Sequence, residues 1–278
     1  MSISSFADRQ FLIHIDSHQR LSGTHQDGLY KIDIQNGTIQ DYDRVVLLSA
    51  TVPKSYYCIE EGFNTFVLDE GGQTATITIP VGTYSANQFR DILPPILNQS
   101  SPNGWTYTMT FSQTTAKYTW TVSGNGATQP SFITSNNVVE QLGFVRTLTP
   151  TAQEFKDNTL TSSTVIDMSP ENNIFIRSEI CLGGDNNSDI LQDLQGSGVP
   201  PFGQINYQCT ELEGYSKGLN KQSDVFRFYI TNEDDEGIGR RILQLNDKNW
   251  TCTLLLYKRT TFYDKIKNGL MLMIRKFI

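Results

Sequence analysis

The stretch from residue 42 to residue 93 constrains the fold of this chain more than any other. Arg44–Val52 is a nearly continuous apolar run, as expected of a strand buried on both faces. It ends at Pro53, which has no N–H for a sheet ladder, and at an aromatic corner, Tyr56-Tyr57. Asn64-Thr65-Phe66 follows, then a Thr/Ile strand over Thr74–Ile79, then Pro80-Val81-Gly82-Thr83-Tyr84 leading into a helix. Nothing in this order has the pattern of an active site. It predicts a β scaffold that carries a small inserted module.

Period-two alternation supports the scaffold on both sides of the insert. Phe11, Ile13 and Ile15 alternate with Leu12, His14 and Asp16, and Leu29–Ile34 reads as a second strand before the turn at Asn36-Gly37. After residue 159 the pattern returns at Thr164–Met168, Asn173–Arg177, Gln204–Cys209, Val225–Ile230, Arg241–Leu245 and Trp250–Tyr257. The Gly/Pro-rich stretch Gly196–Gly203 reads as an exposed loop.

Between these halves the chain changes character. Ser85 and Gln88 form a capping-box signature, and Phe89, Ile92, Leu93, Ile96 and Leu97 follow at helical spacing. Pro94-Pro95 predicts that the helix runs about two turns and then kinks or stops. Trp105, Tyr107, Met109 and Phe111 alternate with threonines, as do Tyr118, Trp120 and Val122, which is a hairpin with one buried face. Val138–Phe144 closes the unit with Leu142-Gly143-Phe144. The expected organisation is therefore residues 1–60 and 151–278 as two parts of one sandwich, with 61–150 as an inserted α+β domain.

Composition narrows the function classes. Only 18% of residues are charged, against a usual ~25%, and polarity is carried by Thr, Ser, Asn and Gln. The net charge of −7 argues against a nucleic-acid binder, which would present a basic face. Cys58, Cys181, Cys209 and Cys252 lie far apart without paired spacing, which predicts free thiols in a reducing compartment. The sequence starts without a signal-peptide core and holds no apolar run of membrane-spanning length; four Asn-x-Ser/Thr matches are read as chance.

Candidate chemistry is thin. His14 and His18 flank Asp16, with His25 nearby, but zinc needs a closed set of ligands and these read as strand-edge polar residues. Asp185–Asp189 imitates the opening of a calcium loop, yet Ile190 and Gly196 stand where glycine and a bidentate Glu belong. Glu233–Glu236 reads as a solvated turn, and Gly237-Ile238-Gly239 lacks the third glycine of a dinucleotide site. No catalytic, cofactor-binding or metal-ligating residue is assigned, and no cofactor is expected. Tyr263–Ile278 is basic and amphipathic; it reads as a final strand after Asn268-Gly269, or as a segment touching an inner shell, a lipid surface or packaged DNA.

The Pro53-Lys54-Ser55-Tyr56-Tyr57 corner, Asn64-Thr65-Phe66, and Ile77-Thr78-Ile79-Pro80 followed by Gly82 and Tyr84 before a helix resemble the penton (minor capsid) proteins of virophages, Polinton-like viruses and related double-stranded DNA viruses. Leu142-Gly143-Phe144 and Asn173–Arg177 fall in matching places, and the likeness runs from about residue 10 to 180. The helix of that pattern is uninterrupted, whereas this one carries Pro94-Pro95. The resemblance implies an all-β fold, a single jelly-roll sandwich of about eight strands interrupted by the insert. It also implies a structural, non-enzymatic role as a homopentamer plugging the five-fold vertices of a virion assembled in the host cytoplasm. The implied partner is a double-jelly-roll major capsid protein, with the insert as candidate contact for a host or carrier-virus surface and no specific nucleic acid. A jelly-roll receptor- or carbohydrate-binding module is the alternative, with Trp and Tyr of the 105–122 hairpin as candidate sugar-stacking residues.

Overall fold

The computed structural model describes residues 7–35, 37–134, 138–145, 147, 149–169, 173–182, 189–232 and 241–259. The 185–188 part of the calcium-like loop, the acidic turn 233–236 with Gly237–Gly239, and the basic segment 263–278 lie outside them.

The chain forms two compact units. The first comprises residues 1–55, 173–233 and 240–278. Its strands before the insert are β1 (Ala7–Asp16), β2 (Ser22–Thr24), β3 (Asp27–Lys31) and β4 (Arg44–Pro53). The second unit, essentially 56–172, holds β5 (Thr65–Glu70), β6 (Gln73–Thr78), helix α1 (Ala86–Ser100), β7 (Thr106–Ser112), β8 (Lys117–Ser123), β9 (Ser131–Thr134), β10 (Thr151–Glu154) and β11 (Thr159–Thr161). The first unit resumes with β12 (Asn173–Ser178), β13 (Cys181–Leu182), β14 (Ile190–Gln195), β15 (Gln204–Gln208), the short helix α2 (Leu212–Tyr215), β16 (Lys217–Leu219), β17 (Val225–Asn232) and β18 (Thr251–Arg259).

Strand pairing makes the first unit a jelly roll. One sheet runs β1-β18-β4, and β4 then pairs with β15 and β16, two pieces of one strand separated by α2. The other runs β14-β12-β17-β3, with β2 as a hairpin addition to β3. With the eight principal strands lettered B to I in chain order, these sheets are B-I-D-G and C-H-E-F, the pairing of a jelly roll. The insert occupies the D–E connection. Ile13, Ile15, Val45, Leu47, Val52, Leu254 and Leu256 supply the inward face of the first sheet, and Ile174, Ile176, Phe226, Phe228 and Ile230 that of the second; all are buried. Tyr30 meets Phe228 edge-on at 5.5 Å.

The second unit has a four-stranded sheet, β10-β9-β5-β6, and a three-stranded sheet, β11-β8-β7. Their common core is aromatic: Trp120 packs on Phe132 at 5.5 Å and stacks on Phe144 at 5.7 Å. The capping box forms as expected, with Gln88 N donating to Ser85 Oγ at 3.2 Å and Ser85 N to Gln88 Oε1 at 2.9 Å. Gly143 sits at φ 78°, and a Cβ there would lie 2.7 Å from the Ser162 side chain, so the Leu142-Gly143-Phe144 closure requires glycine.

Four expectations change. Helix α1 continues through Pro94 and Pro95 to Ser100. The carbonyls the prolines leave unpaired belong to Arg90 and Asp91, whose side chains lie toward solvent, while Phe89, Leu93 and Leu97 hold the opposite stripe in the core. Residues 151–161 belong to the insert rather than to the second part of the sandwich, because β10 pairs with β9 and β11 with β8. Thr164–Met168 is not a strand; its amides reach Gly143, Ala116 and Glu140 across loops. Arg241–Leu245 makes only one bridge, Ile242 to Thr231.

Candidate functional site

Hydrophobic anchoring puts the polar clusters of the first unit at one end of the sandwich. Asp16 pairs with Thr251 and Thr251 with Thr51, while Gln204 pairs with Pro53. The B–C corner, the end of D and the F–G loop therefore share that end.

At the B–C corner, Asp16 Oδ1 accepts from His18 N at 2.9 Å and ends the strand. Ser17 is buried; its Oγ accepts from Trp250 N at 2.9 Å and lies 3.3 Å from His25 Nδ1. Arg20 donates to Ser17 O at 2.6 Å and to Gly23 O at 2.9 Å, and lies 3.4 Å from His25 Nδ1. Trp250 Nε1 donates to the His25 carbonyl at 2.6 Å. This Ser–His pair is a structural knot rather than a nucleophile, because the hydroxyl is inaccessible and committed to the backbone. Partial desolvation, with Arg20 next in weight, lowers the His25 pKa.

The histidines form no metal centre in this geometry. His18 and His25 have ring centroids 5.5 Å apart, but His14 faces Thr253 from the strand. Among the described residues no three His, Cys, Asp or Glu side chains converge. The four cysteines are free thiols, and burial pushes the Cys181 thiol up to about 11, far from reactive.

The F–G loop is built on Lys54. Its ammonium is buried and donates to Gly196 O at 3.0 Å, and burial lowers its pKa. Its main chain accepts from Phe202 N at 2.8 Å and donates to Gly203 O at 2.9 Å. Pro200-Pro201 stiffens the approach to Phe202, which adopts φ 66°.

On the outward face of the C-H-E-F sheet, Arg177 is buried, donating to Thr231 Oγ1 at 2.8 Å and pairing with Asp189 at 2.9 Å. Tyr229 donates to the same carboxylate. Arg227 grips Asp27 with two bonds of 2.6 and 2.7 Å and lies over the Tyr229 ring at 4.5 Å. Every charge in this row has a partner on the sheet, so the row stiffens strands rather than binding a ligand.

The insert holds the counterpart, buried Glu70. Its carboxylate accepts from Ser101 Oγ at 2.7 Å, Tyr107 OH at 2.8 Å and Asn103 N at 2.8 Å, tying the end of α1 to β5. Sequence reasoning missed this carboxylate, because in sequence Glu70 is one polar residue before a Gly-Gly turn. The hairpin aromatics are no sugar platform: Trp105, Tyr107, Tyr118 and Trp120 are all buried.

No helix among the described residues is long and apolar enough to cross a membrane. No family model and no curated protein matches the chain. Solved structures are similar to it, among them the following two. The crystal structure of the selenomethionine-labelled mavirus penton protein superposes with a TM-score of 0.46 at 9% identity, covering 90% of this chain and 99% of that one. A chain of the 3.5 Å cryo-EM structure of the Sputnik virophage does so with a TM-score of 0.40 at 11% identity, covering 89% and 98%. The fold assignment itself rests on the strand order described above.

Proposed function

We propose that this chain is a structural capsid protein, a penton whose jelly roll closes in a ring of five at the icosahedral vertices. The observation that carries the reading is the B-I-D-G and C-H-E-F pairing with an α+β insert in the D–E connection, bounded by the Pro53–Tyr57 corner and the Asn173 strand. These are the segments on which the sequence resemblance to virophage-type pentons rests. One feature of the site agrees with a geometric rather than a catalytic role: the clusters around Ser17, Lys54, Arg177 and Glu70 are each bonded within the fold.

In this role the sandwich flanks bury against neighbouring copies and against a double-jelly-roll major capsid protein, and the insert is the part that meets a host or carrier-virus surface. The protein would then reside in the virion at the capsid vertices, after assembly in the host cytoplasm. A heterologous contact repeated around a rotation axis closes a ring without further symmetry.

The test is co-expression with the major capsid protein, followed by particle reconstruction. Density for this chain at the five-fold positions is the expected result. Particles whose vertices close without it, together with saturable binding to a glycan array, would replace the penton by a binding module.

A further inference from the structure

Among the described residues the sandwich leaves Leu12, Leu21, Leu29, Phe202 and Tyr215 exposed. Leu21 and Leu29, 61% and 39% exposed, are neighbours at the B–C hairpin, with Leu29 opposite Arg227 on the outward face of the C-H-E-F sheet, and Leu12, 60% exposed, points outward from strand B. Strand B is one edge of its sheet, and C with its β2 addition is the matching edge of the other. Phe202, 68% exposed, lies on the opposite flank, in the loop joining F to G.

We infer that Phe202 of one copy docks on the Leu21–Leu29 hairpin of the next, forming a head-to-tail contact between copies of this chain. The contact rests on the ring reading above and supplies its interface.

Four observations carry it. First, the two patches differ and sit on opposite edges, so copies can meet only heterologously, the geometry of rings and filaments. Second, they share one end of the sandwich: Phe202 lies just before the strand that starts at Gln204↔Pro53, and Leu21–Leu29 follows the end at Asp16↔Thr251. Contacts at equal height relate neighbours by rotation with little rise, which favours closure over a filament.

Third, Phe202 is held ready. A non-glycine residue at φ 66° is strained, and the clamp from the Lys54 main chain, the buried Lys54 ammonium on Gly196 and the prolines hold it so. The strain presents an aromatic ring to water, which gives the free chain nothing; an ordered aromatic anchor is what binding hot spots use.

Fourth, the Phe202 loop and the tip of the hairpin are uncharged, as interface centres are. No Asp, Glu, Lys or Arg occurs from Leu194 to Thr210 or from Leu21 to Gln26. Of the charges bordering the hairpin, Arg20 is committed to Ser17 and Gly23, and Asp27 to Arg227.

Light scattering on the full chain and on Phe202→Ala tests the contact, with mixed-disulfide trapping between Phe202→Cys and Leu29→Cys chains. The wild type is expected near five times 31.3 kDa and Phe202→Ala near 31.3 kDa, its ring contact weakened at least about 30-fold. The cysteine chains are expected to cross-link when mixed and not separately. A wild-type pentamer that Phe202→Ala leaves intact, without mixed disulfide, overturns the contact but keeps the penton reading. A wild type that stays monomeric at high concentration, with no mixed disulfide between the two cysteine chains, also overturns it, leaving the penton reading to the particle reconstruction. Unchanged melting of Phe202→Ala confirms that the variant is folded.

Discussion

The sandwich and the insert solve the same problem, hiding apolar surface, to different degrees. The insert buries Trp120, Tyr118, Phe89, Phe132 and Phe144 almost completely around one helix, and among its described residues the exposed large apolar ones are Val81, Val145 and Val165. The sandwich fills its interior with aliphatic residues and still leaves Leu12, Leu21, Leu29, Phe202 and Tyr215 in water. Scattered exposed leucines are ordinary on any protein. Leu21 with Leu29 and, on the opposite edge, Phe202 fall at one end of the sandwich. On the proposed ring reading the insert is finished as a single copy and the sandwich keeps surface for neighbours, so substitutions in the two units should fail in different assays.

The largest effect belongs to the insert core. Trp120→Ala is expected to cost about 3–5 kcal/mol, through lost transfer energy and the cavity left behind. Calorimetry should show a lowered insert transition while the sandwich transition and the assembly state stay unchanged. Trp120→Phe should cost much less, since it also removes an indole N–H that has no acceptor in that core.

Next comes Glu70→Gln, expected to cost about 1–3 kcal/mol. The native carboxylate accepts at both oxygens, whereas an amide accepts at one and turns its NH2 toward either the Asn103 N–H or two hydroxyls. Hydrogen exchange should rise at Asn103 and Tyr107 and not in the sandwich. Phe202→Ala is the reverse case, lowering assembled mass without lowering the melting temperature. If instead Trp120→Ala dissociated the assembly, or Phe202→Ala unfolded the chain, the division of labour between the units would be wrong.

Much of the sandwich was legible because burial on one face imposes alternation, as in Phe11–Ile15 and Val225–Ile230. Strand F was not. Ile190–Gln195 places both Leu191 and Gln192 in buried positions beside a register shift opposite Ile176-Arg177, so its alternation is broken. Strands β9 and β10 have only four residues each, too short to show a period. Thr164–Met168 looked like a strand because β-branched residues also suit extended loops, and only the pairing partner tells them apart. The proline pair misled in the other direction: a local rule yields where the freed carbonyls face water and three core contacts hold the helix. Of the candidate site, composition marked Gly196–Gly203 as a loop. The exposure and backbone angle of Phe202 depend on Lys54, which lies far away in sequence.

The smallest expected effect is on pH dependence at the B–C corner. His25 has a pKa below its ordinary 6.5, from partial desolvation first and then from the Arg20 guanidinium and His18, opposed by Asp247 and Asp16. The folded protein therefore takes up this proton less readily than the unfolded chain. Between the ordinary value and the lowered one the unfolded state binds more protons, so stability rises with pH through that window and is lost as pH falls through it. Denaturant titrations from about pH 7 down to about pH 5 should show this loss in the sandwich transition. His25→Gln should flatten the part of the slope that belongs to the corner, because its side chain can still hydrogen-bond near Ser17 without titrating. The leucine hairpin of the B/C flank hangs from the same corner, with Leu21 N donating to Leu29 O at 2.7 Å beside the Arg20 bonds. Acid should therefore weaken assembly before it unfolds the chain. An assembly that resists acid while the corner loosens would separate the flank from the knot that holds it.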